Sequence, residues 1–183
     1  MKYLVVVVAV LFSVLPAAAQ IEFAPGGNLT LEPQYWSKVG TNDDPKFGIG
    51  LGGTLGVGIA IDSSMRVIVG PRLAYSAWSA DYSGKDQSAT ESVYANMADM
   101  GAGVVADFDD MWIQFGTGKS EITSGMMVGG QDIKYPYDGQ TYTYYNVGLG
   151  FKSGMFHFGI GYTSYTDYAQ YCDHVGFMMG IGL

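Results

Sequence analysis

The chain has 183 residues, 9 of them basic and 17 acidic, for a formal net charge of −8. With no polybasic run, that balance excludes nucleic-acid binding, which depends on clustered Lys and Arg. A lone cysteine, Cys172, excludes an intramolecular disulfide, and the length suits one domain.

Residues 1–19 read as an export signal. Lys2 supplies the positive start, residues 4–15 form a short apolar run, and Pro16 breaks it. Ala17-Ala18-Ala19 before Gln20 then fits a small-x-small cleavage site. The run is shorter than the roughly 20 residues of a membrane-spanning helix, which argues against a retained anchor. The domain expected is therefore residues 20–183. No later stretch reaches the length of a membrane helix. If the mature chain enters a membrane it must do so as a closed barrel, the other structure that satisfies its backbone in lipid.

Eight alternating segments follow, and alternate residues of a strand point to opposite faces. The first, 28–38, sets Leu29, Leu31 and Tyr35 against Thr30, Glu32 and Gln34. The second, 47–61, is the most regular. Phe47, Ile49, Leu51, Leu55, Val57, Ile59 and Ile61 take one face, and the other holds almost only glycine. Of the 27 glycines of the chain, those in such strands are locked into a period that disorder would not produce. A soluble sheet needs bulk against its core, whereas a small membrane barrel puts bulk toward lipid and small groups in a cramped interior. The remaining strands are expected at 65–78, 93–108, 111–118, 141–152, 155–166 and 174–183.

Tight turns (62–64, 109–110 and 153–154) alternate with longer polar loops (39–46, 79–92, 119–140 and 167–173), an asymmetry known from outer-membrane barrels. Tyr35, Trp36, Phe47, Tyr75, Trp78, Tyr142, Tyr144, Tyr145, Tyr162 and Tyr165 are expected to form an outer interfacial girdle. Phe108, Trp112, Phe151 and Phe156 form a thinner one at the turn end. Pro33 and Pro71 fall inside strands, where each forfeits a ladder hydrogen bond, so a bulge or strand boundary is expected at one or both.

The export signal, eight strands, alternating connections and the closing pattern Val175-x-Phe177-x-Met179-x-Ile181-x-Leu183 together resemble the small OmpA/OmpX-type outer-membrane barrels. The resemblance implies an all-β fold, an eight-stranded antiparallel up-and-down transmembrane β-barrel over residues 20–183, in the outer membrane of a Gram-negative-type bacterium. It implies outer-membrane lipids and lipopolysaccharide as neighbours and a last strand read by the outer-membrane assembly machinery. Leu183 stands where that family usually has Phe. A monomer without a cofactor is expected.

Such barrels are too narrow for a wide aqueous pore. By parity the inward set contains Glu32, Arg66, Arg72, Asp99, Asp107, Lys152 and His157. A midplane Arg or Lys on the lipid face would cost about 2–4 kcal/mol, so energetics and alternation agree on where these charges point. The expectation is a luminal charge network that plugs the bore, with Arg72 opposite Asp99. The alternative is a narrow ion or small-solute path lined by the same groups.

Motifs for chemistry are weak. Gly48-x-Gly50-x-x-Gly53 matches a dinucleotide fingerprint, but no helix is expected after it to hold the pyrophosphate. Both histidines lack the serine two residues on that the lipid A deacylase type carries. Ser164, Asp167, Asp173 and His174 make only a crude acyltransferase set, and Cys172 with His174 are two metal ligands without a third. No enzyme is expected, and a lipid A-modifying activity is the least favoured reading. The outer loops are acidic, and 119–140 also carries Met126-Met127-Val128 and Tyr135-Pro136-Tyr137, apolar for an exposed segment and a candidate contact for an extracellular ligand.

Overall fold

Alternation governs every long element of the computed structural model, which describes residues 22–36, 46–61, 64–83, 90–128, 131–134, 138–166 and 173–183. The export signal expected at 1–19, Cys172, Asp167 and parts of the long loops lie outside the described residues. Nine strands are described: β1 (Glu22–Trp36), β2 (Lys46–Ala60), β3 (Met65–Ser83), β4 (Thr90–Phe108), β5 (Met111–Val128), β6 (Gln131–Lys134), β7 (Gln140–Ser153), β8 (Phe156–Tyr165) and β9 (His174–Gly182).

All pairings are antiparallel, and the ladder returns to its first strand. Ala24 pairs with Gly58, Gly58 with Ile68, Ile68 with Val105 and Val105 with Gln114. Gln114 pairs with Gly148, Gly148 with Gly161, Gly161 with Gly176, and Gly176 with Gln34 of β1. One circuit therefore lands ten residues along the strand where it began. In a closed sheet such a stagger goes with strands inclined to the axis, by roughly 35–45°. Eight strands make this circuit; β6 stands outside it, paired with β5 alone among the described residues.

β6 is a strand beyond the eight expected, and it lies outside the circuit. β3 also runs on to Ser83, β4 starts at Thr90 and β5 continues to Val128, so much of the expected loops 79–92 and 119–140 is strand. The cause is alternation among polar residues, which hydropathy does not register. In β5, for instance, Ser120, Ile122 and Ser124 are buried between Lys119, Glu121 and Thr123.

Neither proline makes a bulge or a boundary. Pro33 pairs with Ile49 on one side, while the β1–β9 ladder skips Glu32 and Pro33 and resumes at Gln34 in unchanged register. Pro71 pairs with Ala102, and the β2–β3 ladder skips it between Arg72 and Val69, again without a slip. Each proline lacks a single donor, so the ladder opens on one side only and its neighbours hold the register.

The turns carry the handedness that hairpins need. Asp109 has a φ of 41° between β4 and β5, and Gly154 has 60° between β7 and β8. The second hairpin closes Ser153 on Phe156, so its loop is Gly154-Met155 and not the expected 153–154.

Leu29, Leu31, Ile49, Leu51, Leu55, Leu73, Phe115, Leu149, Phe158, Ile160 and Phe177 all face outward and are exposed. The aromatic girdle is half correct. Tyr35, Phe47, Tyr75, Tyr145 and Tyr162 face outward, but Trp36, Trp78, Tyr142, Tyr144, Tyr165 and the turn-end Trp112 are buried. Position parity, not ring chemistry, decides between them: Trp36 follows the outward Tyr35, and Tyr144 precedes the outward Tyr145.

Candidate functional site

Among the described residues, polar and charged side chains are concentrated away from solvent in the interior, which is built in three tiers. At the rim, Trp36, Trp78, Met97, Ile122, Tyr142, Tyr144 and Tyr165 pack into one cluster. Trp36 lies against His174 with ring centroids 4.1 Å apart, and against Trp78 at 6.4 Å.

The middle tier is an amide chain across the bore. Backbone Thr54 N donates to Asn28 Oδ1 (2.9 Å), and Asn28 Nδ2 donates to Gln114 Oε1 (2.9 Å). Gln114 Nε2 donates to Asn146 Oδ1 (2.7 Å), and Asn146 Nδ2 donates to Thr163 Oγ1 (2.9 Å). The chain links β2, through the Thr54 backbone, to β1, β5, β7 and β8, through buried side chains. Beside it, Arg72 Nη2 lies 4.0 Å from Glu32 Oε1, which also accepts from Thr30 Oγ1 at 3.0 Å. Gln34 Nε2 donates to Ser76 Oγ at 2.9 Å.

The turn-side tier holds Arg66, Asp107, Lys152 and His157. Lys152 Nζ and His157 Nε2 each stand 3.9 Å from an oxygen of Asp107, and His157 stacks on Trp112 with centroids 5.7 Å apart. Arg66 donates to the backbone oxygens of Leu183 (3.0 Å) and Pro25 (2.7 Å), tying β3 to both neighbours of the closing seam.

All seven charged residues singled out in the sequence thus sit on the inner face, but in two groups and not one. Glu32, Arg72 and Asp99 belong to the upper part; Arg66, Asp107, Lys152 and His157 to the turn end. Arg72 pairs in the ladder with Gly101, and Asp99 with Ala74, so the expected Arg72–Asp99 opposition is off by two residues. Asp99 instead faces the Tyr165 hydroxyl, 3.4 Å from both of its oxygens. The amide chain and the aromatic tier escaped the sequence reading. Asn28, Gln114, Asn146 and Thr163 share the inward parity of the charges, and that parity was the signal available.

The residues weighed for chemistry are dispersed. Ser164 Oγ donates to Asp173 Oδ2 (3.1 Å), which Tyr162 also reaches (2.9 Å), while Tyr165 N donates to Asp173 Oδ1 (2.8 Å). Asp173 is thereby a structural pin, and Ser164 lies on the opposite face of the sheet from the buried His174. The strand β2 continues through Gly48, Gly50 and Gly53 to Ala60, with no helix to complete a dinucleotide site. Among the described residues no three His, Cys, Asp or Glu side chains are grouped to hold a metal.

On the β5–β6 hairpin, Lys134 Nζ donates to Tyr94 Oη (2.7 Å), and Tyr94 donates to Asp132 Oδ1 (2.8 Å). Lys134 also lies 3.3 Å from Asp132 and 3.8 Å from Asp138, which accepts from Ser124 N at 2.8 Å. Tyr94 and then Asp132 push the Lys134 ammonium up to about 12, and the Tyr94 hydroxyl holds the Asp132 carboxyl below its ordinary value.

No protein-family model matches the chain, and no curated protein matches it. Solved structures do. Ail, the attachment invasion locus protein of Yersinia pestis, is 15% identical with a TM-score of 0.52, covering 86% of this chain and 95% of its own. The same protein in complex with the heparin analogue sucrose octasulfate gives 15% and 0.52, with 88% and 97% covered. Neisserial surface protein A (NspA) is 14% identical with a TM-score of 0.47, over 88% and 98%. At 15% identity the chain and Ail share a fold, an antiparallel all-β sheet resembling a closed structure.

Proposed function

We propose that this chain is an eight-stranded transmembrane β-barrel of the outer membrane of a Gram-negative-type bacterium, with a plugged lumen and a structural or surface-contact role. One observation carries the reading. The faces of the sheet are inverted relative to a soluble protein: Phe47, Met100 and Phe151 are 75%, 68% and 67% exposed, while Asn28, Thr30 and Ser120 are fully buried. Water would penalise that outer surface severely, and lipid would favour it. Residues 1–19 act as the cleaved export signal, and 20–183 form the barrel. Outer-membrane lipids and lipopolysaccharide surround it, and the assembly machinery reads its last strand. The fold shared with Ail supports the reading, as do the turns of two residues on one side.

The interior carries side chains from wall to wall, which supports a plug formed by Glu32, Arg66, Arg72, Asp99, Asp107, Lys152 and His157 together with the amide chain. The barrel works as a monomer without a cofactor and without catalysis, and its loops meet extracellular ligands. Single-channel recording of the refolded chain in a planar bilayer tests this. A silent bilayer, with a heat-modifiable gel band proving the fold, is expected; discrete, reproducible openings would replace the plug with a narrow conducting path.

A further inference from the structure

We propose that the outer wall of β2, β3 and β4 holds one membrane lipid with a neutral sugar headgroup, in a track that descends from the rim. The inference rests on the membrane reading above and goes beyond it, from a surrounding bilayer to one lipid at one site. The track has two parts. Its upper part is a notch of about 510 Å³ lined by Phe47, Ile49, Ala77, Ser79, Tyr94 and Asn96 among others. Below it lies a trough of about 550 Å³ lined by Leu51, Gly53, Leu73, Tyr75, Ala98 and Met100 among others. Each strand passes from notch to trough in a single outward step, Ile49 to Leu51, Ala77 to Tyr75 and Asn96 to Ala98, so the two parts are continuous.

The trough suits an acyl chain. Its sides are Leu51, Leu55, Leu73 and Met100, each more than half exposed. Its floor drops at Gly53, where an added Cβ would strike the Asn28 carbonyl, so the position stays bare. From Ile49 to Leu55 the track covers about 20 Å of strand, and about 15 Å of depth at the usual barrel inclination. That depth is about half the hydrocarbon core of a bilayer, the reach of one leaflet.

The notch suits a sugar. Asn96 and Ser79 make no side-chain hydrogen bond among the described residues. An amide and a hydroxyl, each both donor and acceptor, thus stand unspent on the outer face. Tyr94 beside them is committed, its hydroxyl serving Lys134 and Asp132. Lys134 is in turn matched by Asp132 at 3.3 Å and Asp138 at 3.8 Å, so the described side chains at the notch offer a phosphate no free cation. A second copy of the chain would bring an apolar wall and leave the amide unmatched.

The chain is prepared in phosphatidylcholine nanodiscs, its fold verified by heat-modifiable migration, with rising fractions of monoglucosyl diacylglycerol or of phosphatidylglycerol. All the lipids carry the same acyl chains. Backbone amide resonances of Ala77 and Ser79 report the site, with Ile160 of β8, across the barrel, as reference. Saturable shifts at the first two and not at Ile160 are expected with the glucosyl lipid only. Asn96→Leu should weaken that response roughly three- to tenfold, the loss of one neutral hydrogen bond, and Asn96→Gln should restore part of it. Ala98→Phe, which blocks the trough and leaves the notch intact, should weaken it as well. Absence of a saturable shift with the glucosyl lipid would overturn the proposal. So would phosphatidylglycerol acting as strongly, an unchanged response in Asn96→Leu, or shifts that follow protein concentration and not lipid fraction, the mark of a second copy. A chain without a heat-modifiable band would overturn the barrel reading first, and this inference with it.

Discussion

Arg72 reaches across to Glu32 of β1, not to Asp99 of the neighbouring β4: Nη2 and Oε1 are 4.0 Å apart, and both side chains are almost wholly buried. Two other nitrogens of Arg72, Nε and Nη1, have no hydrogen-bond partner among the described residues. A buried charge of this kind is held by its partner and penalised when the partner is lost.

Arg72→Ala should therefore lower unfolding stability by about 3–5 kcal/mol, because it strands Glu32 in the interior. The double variant Glu32→Gln with Arg72→Met should recover much of that loss. Urea titration of the refolded chain, followed by gel mobility, measures both. An Arg72→Ala midpoint equal to that of the parent would show that the pair does not brace the sheet.

Tyr144 gives the opposite sign. Its ring is fully buried in the rim cluster, and its hydroxyl has no partner among the described residues. Tyr144→Phe should be neutral or stabilising by about 1 kcal/mol, since it removes an unsatisfied polar atom and keeps the packing. Trp36→Ala, in the same cluster, should cost about 3–5 kcal/mol through the cavity it leaves. A large loss in Tyr144→Phe would mean the hydroxyl is satisfied in solution.

Asp109 occupies a left-handed backbone position with a φ of 41°. Replacing it with glycine should stabilise the hairpin by about 1 kcal/mol, the cost of that conformation to a residue with a Cβ. Gly154→Ala, at a φ of 60°, should do the reverse. Paired urea midpoints of the two variants check the signs.

The β5–β6 hairpin should respond to acid. The lowered Asp132 carboxyl contributes order above its ordinary value of 3.8 and loses it as pH falls through the depressed folded value. The raised Lys134 ammonium contributes fully below 10.5 and loses its share only as pH rises through about 12. Both groups are open to solvent, so salt should weaken the effect. Amide protection at Asp132 and Ile133, compared with that of β5 between pH 2 and 6, should fall at the acid end. It should be insensitive to acid in Asp132→Asn.

Parity made most of the fold legible. Glycine opposite Ile49, Leu51 and Leu55 announced which face of β2 is outer, and the same count picked Glu32, Arg72, Asp99, Asp107 and His157, all buried in the structure. What parity cannot give is height along the bore. The expected partner of Arg72 was two positions away from the one it has in the β3–β4 ladder, which preserved the face and lost the contact. The aromatic rings failed for another reason: Trp36 and Tyr35 have the same chemistry and adjacent positions, and only the pleat separates an interfacial anchor from a core residue. The amide chain was missed because a neutral Asn or Gln on a glycine-rich face carries no charge to flag it.

All three tryptophans lie inside the sheet: Trp36 and Trp78 near the rim, Trp112 beside His157 at the turn end. The chain's own fluorescence is therefore blind to the solvent or lipid outside and sensitive to whether the sheet has closed around its contents. Because the emitters sit at opposite ends, a variant keeping only Trp112 would time the sealing of one end during assembly, and one keeping only Trp36 would time the other.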